Sequence, residues 1–417
     1  MSAPVPNLSG SGFVSPEVIK AQLRPPRHRV LSDEGFRLFF PLAALHAALW
    51  PFLWVAVQDR ALIGSNEIAP SVWHMHEMIF GAFGAALMGF LTTAWPEWTD
   101  TPPLRGRWLW GLAGVWGLAR IVGLLGLDPL TPLAMICDLG WIAALWMYGL
   151  RLSLQTRSDT LWVFLIWLAA FGAVGAMIRV QMIRGDSFAA GEAAKTAGLV
   201  FLGVLGLALS RITVPVSNLV LDPSGDTSPF RPHPGRLNLA TGLVALVIGA
   251  RLCGASDAVA GWLFIAAGAA FLDRVAEGFV GREMLRTEIL VLMAPSALAG
   301  AGLIWLGATG LGAPLTTAGG WHLALMGGLG FAVLAVMSIS GLFHTGHKLP
   351  LPRAVSGATV LLLSSLLLRI SPEVDLMEMF IAHAAASVFW AAGFALWLWH
   401  YLPIFADADT LGDHDGC

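Results

Sequence analysis

The sequence predicts an all-α protein: a polytopic membrane helix bundle of about twelve transmembrane helices, with both termini cytoplasmic. Three observations predict this. Of the 417 residues, 56% are hydrophobic and 12% charged, about half the charged share of a soluble domain. Apolar runs long enough to cross a bilayer, roughly 20 residues, recur from end to end. Lys and Arg segregate into alternate connections, as the positive-inside bias requires. Seventeen lie around the start of the first run or the even-numbered connections, and five around the odd-numbered ones. The other two, Arg120 and Arg179, lie inside runs.

Residues 1–35 form the expected cytoplasmic arm. It holds Pro, Ser and basic residues but no apolar core of signal-peptide length, so it is not expected to be cleaved. A single bundle is expected over 36–403 and a cytoplasmic tail over 404–417. The first run, about 36–57, carries His46, and the second, about 73–95, opens with "WHMHE". Runs at about 108–126, 130–150 and 160–183 carry Arg120, Asp138 and Arg179 in turn. The sixth covers about 195–217. "NLVLDPSGDTSPFRPHPGR" follows it, a Pro- and Gly-rich connection between two groups of six. Runs at about 237–254 and 257–280 are separated only by "RLCGASDA". The last four lie near 288–309, 320–342 (with His322), 352–370 and 376–402 (with His383). The turns "GLDPLTP" and "SPEVD" carry the Pro and Asp of tight connections. Cys137, Cys253 and Cys417 show no CxxC spacing, so neither a disulfide framework nor a thiolate metal site is expected. Nothing points to a nucleic-acid partner. The partner implied by composition is the lipid bilayer.

The eleven histidines sort by depth once the runs alternate in direction. His74 and His76 fall near the outer end of the second, His322 near the outer end of the tenth and His383 near that of the twelfth. His46 lies near the middle of the first. These five are candidates for one cluster in the outer half, and imidazole is a common ligand of iron, copper and zinc. The alternative is that each hydrogen-bonds a neighbouring helix. His344 and His347 in "FHTGHKLP", with His400, lie at the inner surface. His344 is about 33 Å along a helix from His322, so one metal cannot hold both. His28, His233 and His414 are expected as ordinary surface residues.

Helical spacing refines "WHMHE". His74 and His76 are about 200° apart around a helix and face opposite ways. His74 and Glu77 share a face, so Glu77 is expected to orient His74 or to carry protons. His76 shares its side with Phe80, Phe83 and Gly84, a surface suited to the flat face of a macrocycle. Gly81, Ala85 and Gly89 form a stripe that admits a second helix. Arg120 and Arg179 are candidates to fork onto ligand carboxylates such as haem propionates. A protein carboxylate, Asp138, is the alternative partner.

"WHMHEMIFGAFGAALMGFLTTAWPEWT" resembles the WHxHEMxFG…GFLLTAxPNWT signature of the NnrS family. "GFRLFFPLAAL", "SRITVPVSNLVLDP", "WHLALMGGLGFAVLAVMSISGLFHTGHKLPL" and "FWAAGFALWLWHYLPIF" resemble further blocks of the same family. Three positions depart from it: Leu38 stands for proline, Glu97 for asparagine and His347 for arginine. The resemblance implies twelve spans in the bacterial inner membrane, haem b with copper, and a role in tolerating or metabolising nitric oxide. It carries over His74, His76, Glu77, His322 and His344 without saying which holds which metal.

Two functions follow. In the first, the chain binds and reduces nitric oxide, drawing electrons from quinol or another donor. His76 and His322 hold the haem with Arg120 and Arg179 on its carboxylates. His74 holds copper with His46, His383 or both. Glu77 supports that site, and His344 and His347 form a second redox or quinol contact. In the second, the chain is a nitric oxide sensor or carrier, or a haem or metal transporter.

Overall fold

The computed structural model describes residues 25–57, 68–224, 226–227 and 230–411. The first 24 residues of the expected arm, and the end of the tail with His414 and Cys417, lie outside them. The described chain is helical, without strands, and twelve helices are long and apolar enough to span a membrane. They are α1 (Gly35–Ala56), α2 (Pro70–Thr99), α3 (Arg107–Leu125), α4 (Asp128–Thr156), α5 (Trp162–Ile183) and α6 (Ser187–Leu221). The second six are α7 (Pro234–Leu252), α8 (Asp257–Gly278), α9 (Thr287–Gly310), α10 (Thr317–Phe343), α11 (Arg353–Val374) and α12 (Met379–Phe405).

Local chemistry sets the ends. α6 starts earlier than its hydropathy suggests because the Asp186 carboxylate accepts from the backbone N–H of Ala189 at 2.9 Å. The "RLCGASDA" connection separates α7 from α8 by a left-handed Gly254 (φ +70°) and a Ser256 N-cap. Thr316 caps α10, accepting from Gly319 N at 3.3 Å.

α2, α6 and α10 are the most enclosed helices, and α7 the least. α1 packs on α2, α3 and α12, while α10 packs on α9, α11 and α6. Helices from the two halves of the sequence therefore interleave around a shared centre. α8 and α9 approach most closely where they bring two glycines each. A Cβ at Gly268 would lie 2.6 Å from the Gly300 carbonyl oxygen, and one at Gly307 2.5 Å from that of Gly261. Backbone cannot yield there, so only glycine fits. At the end opposite the start of α2, Arg37 joins the first helix to the chain beyond the last. Its guanidinium donates to the Phe405 carbonyl (3.1 Å) and to the hydroxyl (2.8 Å) and carbonyl (2.9 Å) of Thr410.

α2 and α10 contain a feature that hydropathy does not reveal. Each has a π-helical stretch, Glu77–Phe83 in α2 and His322–Leu329 in α10. Such stretches are rare and often accompany functional sites.

Candidate functional site

Two buried assemblies stand back to back on α2. His74 faces one and His76 the other, as their angular separation on a helix requires.

The first is a cavity of about 390 Å³. His74, His322 and His383 line it, each four or five residues from the N-terminal end of its helix. All three thus lie about 6–8 Å into the bundle from the same side. The His74 ring stacks on Trp54, with centroids 4.8 Å apart and planes at 24°. Its Nδ1 is buried without a hydrogen-bond partner among the described residues, as is Nε2 of His383. His322 Nδ1 donates to the Ala318 carbonyl at 2.8 Å, which fixes the tautomer and leaves Nε2 as the lone-pair nitrogen. Much of the remaining wall is apolar, with Met78, Met326 and Trp390 among it. Two cations, Lys195 and Arg369, also line it.

The second assembly is a buried ion network joining α1 to α5. Arg120 donates from Nη1 to Glu77 Oε1 (2.8 Å) and from Nη2 to Asp138 Oδ1. Arg179 donates from Nε (2.9 Å) and Nη2 (2.5 Å) to Asp138 Oδ2. His76 lies between the carboxylates, with Nδ1 3.2 Å from Glu77 Oε1 and Nε2 3.4 Å from Asp138 Oδ2. His46 Nε2 is 3.3 Å from Glu77 Oε2. Two guanidinium groups balance two carboxylates, which is how charges persist in a lipid-facing bundle. Two glycines make the room. A Cβ on Gly81 would come within 2.3 Å of His46 Nε2, and one on Gly123 within 2.3 Å of Glu77 Oε1.

These positions correct several expectations. His76 does not share a site with His322. Its imidazole is taken up by Glu77 and Asp138 and stacked on Phe80 at 4.8 Å. Glu77 does not orient His74, because it turns toward the Arg120 cation and the imidazoles of His46 and His76. In the apolar cavity the carboxylate would lack those partners. His46 belongs to the network, so the expected copper set of His74, His46 and His383 is divided between two assemblies. Arg120 and Arg179 bind protein carboxylates, the alternative reading, and neither lines the cavity. Among the described residues, no group of three or more His, Cys, Asp and Glu side chains is placed to hold a metal ion. The three cavity imidazoles share walls without converging on a point.

His344 lies just past the far end of α10, with Nδ1 3.3 Å from Glu97 Oε1 and 3.8 Å from Glu34 Oε2. His347 is exposed, its Nδ1 3.0 Å from the Thr345 hydroxyl. Both are remote from the cavity, as the length of α10 requires. Sequence reasoning missed Trp54, Lys195 and Arg369 at the cavity. A signal was present for the two cations, since both lie on the side where Lys and Arg are scarce.

No curated protein and no solved structure matches the chain. The family model described as NnrS protein matches residues 30–408 and so takes in both assemblies. The chain therefore belongs to the NnrS family.

Proposed function

We propose that the chain binds a haem in the cavity and uses it to capture and reduce nitric oxide. Family membership already ties this multi-pass membrane protein to the nitric oxide response. The observation that carries the finer reading is the state of the imidazoles. His322 is held by a backbone carbonyl, while His74 and His383 bury ring nitrogens that have no partner among the described residues. An unpaired polar atom in an apolar wall is costly unless a ligand takes it up. Imidazoles spread over a cavity rather than gathered around a point suit a wide group more than a bare ion. His322 and His74 are assigned as the haem ligands, with His383 facing the same space. A bound haem supplies an iron that takes nitric oxide. The chain supplies the rest: Trp54 fixes the His74 ring, and the apolar wall limits water while admitting a small uncharged gas. Electrons come from a donor such as quinol.

The reading extends to placement in a bacterial inner membrane. It is tested on the purified protein under anaerobic conditions. Haem is expected near one per chain, with an absorbance shift on adding nitric oxide and consumption of the gas when a reductant is present. A shift without consumption leaves the sensor or carrier function, and a chain that takes up no haem overturns the assignment.

A further inference from the structure

We propose that Arg369 anchors the acidic edge of the cavity's ligand, so that the site selects a planar apolar group bearing carboxylates. This rests on the haem reading above and adds the means of selection. Cations are scarce on this side of the bundle, yet Arg369 and Lys195 both reach the cavity wall. Arg369 shares the cavity wall with all three imidazoles. No Asp or Glu is among the described residues that line the cavity, and the carboxylates that pair with its cations do not line it. Glu192 is shared by Lys195 (2.5 Å) and Arg251 (3.0 Å), and Glu373 pairs with Arg369 (2.9 Å). Lys195 and Arg369 thus face an apolar cavity whose described lining holds no carboxylate, and an anionic ligand edge pairs with them there.

Arg369 is also coupled to the imidazole it accompanies. Glu373 takes both the Arg369 guanidinium and the Thr316 hydroxyl. Thr316 caps the first turn of α10, and the Ala318 carbonyl of that turn holds His322 Nδ1. Anchor and imidazole are therefore fixed by one continuous set of bonds. The guanidinium fork offers five donors, and Glu373 engages it at Nη1, so a ligand carboxylate adds to that pair rather than replacing it.

The test separates carboxylate recognition from folding and from haem binding as such. The full chain, stripped of haem in lipid nanodiscs, is titrated with haem and with haem dimethyl ester, whose carboxylates are blocked. The wild type is expected to prefer the free acid by about 10- to 100-fold, the range of a charged hydrogen bond. Arg369→Gln should lose most of that preference while binding the diester as before, and Arg369→Lys should keep part of it. Diester binding reports that the variant cavity is intact. An equal preference in wild type and Arg369→Gln overturns the anchor and leaves the haem reading standing. A wild type that binds neither compound overturns the haem reading, and the anchor with it.

Discussion

Asp138 accepts from two guanidinium groups and faces His76, so its carboxylate is the hub of the network between α2, α3, α4 and α5. Replacing it with asparagine keeps the shape but removes one of two negative charges, leaving two buried guanidinium groups against Glu77 alone. Breaking a buried pair costs about 3–5 kcal/mol. Asp138→Asn is therefore expected to unfold at a markedly lower denaturant concentration than wild type; an unchanged midpoint would mean that these charges are dispensable. The histidines give a sharper contrast. His322→Ala should lower the haem-to-protein ratio, whereas His76→Ala should leave it near wild type, because His76 serves the network and not the cavity. If both variants lose haem equally, the division into two assemblies is wrong. Spacing alone showed that His74 and His76 face opposite ways. It could not show which of them met His322, because the rotation of α2 relative to α10 depends on packing between helices. Arg120 and Arg179 were legible as a pair needing carboxylates. Whether those belonged to a ligand or to Asp138 stayed open in the sequence, and the structure shows both arginines on protein carboxylates.

At the scale of the element, the number of spanning helices and their order were legible because a bilayer demands long apolar runs. The π-helical stretches were not. An added residue per hydrogen-bonded turn changes neither composition nor hydropathy, and both stretches read as ordinary apolar helix. Their effect is on azimuth. In α10 the stretch begins at His322 and ends before Gly330, whose missing Cβ admits Trp390: a Cβ there would lie 2.4 Å from the indole. The first turn of α10, with Trp321 and His322, is thus rotated relative to the packed body of the helix that follows. Deleting Leu325 from this stretch should restore regular α-helix while keeping His322 at about its present azimuth relative to Gly330, because a π-helical turn is an α-helical turn with one residue added. The variant is expected to insert, accumulate and keep its haem, unlike His322→Ala. Loss of haem in the deletion variant would show that the wider turn itself, and not only the azimuth it sets, is needed to present His322.

The whole molecule has a polarity that ties the site to one side of the membrane. Twelve spans bring both ends of the bundle to the same face, and Arg37 bonds them together there. The cavity lies at the other face, where α2, α10 and α12 begin. Which face is cytoplasmic is expected from charge: leaving aside Arg120 and Arg179 inside the spans, fifteen of the described Lys and Arg lie on the side of the termini and four on the side of the cavity. Cytoplasmic connections retain the excess of basic residues. The cavity is therefore expected to open toward the outside, where a gas arriving from beyond the cell meets it before reaching the cytoplasm. A reporter active only outside the cytoplasm should be silent when fused after Leu411. The same reporter fused after Gly312, in the turn between α9 and α10, should be active. That second fusion guards against a silent result caused by poor expression. Activity at Leu411 with silence at Gly312 would invert the molecule and place the cavity, with His74, His322 and Arg369, at the cytoplasmic surface.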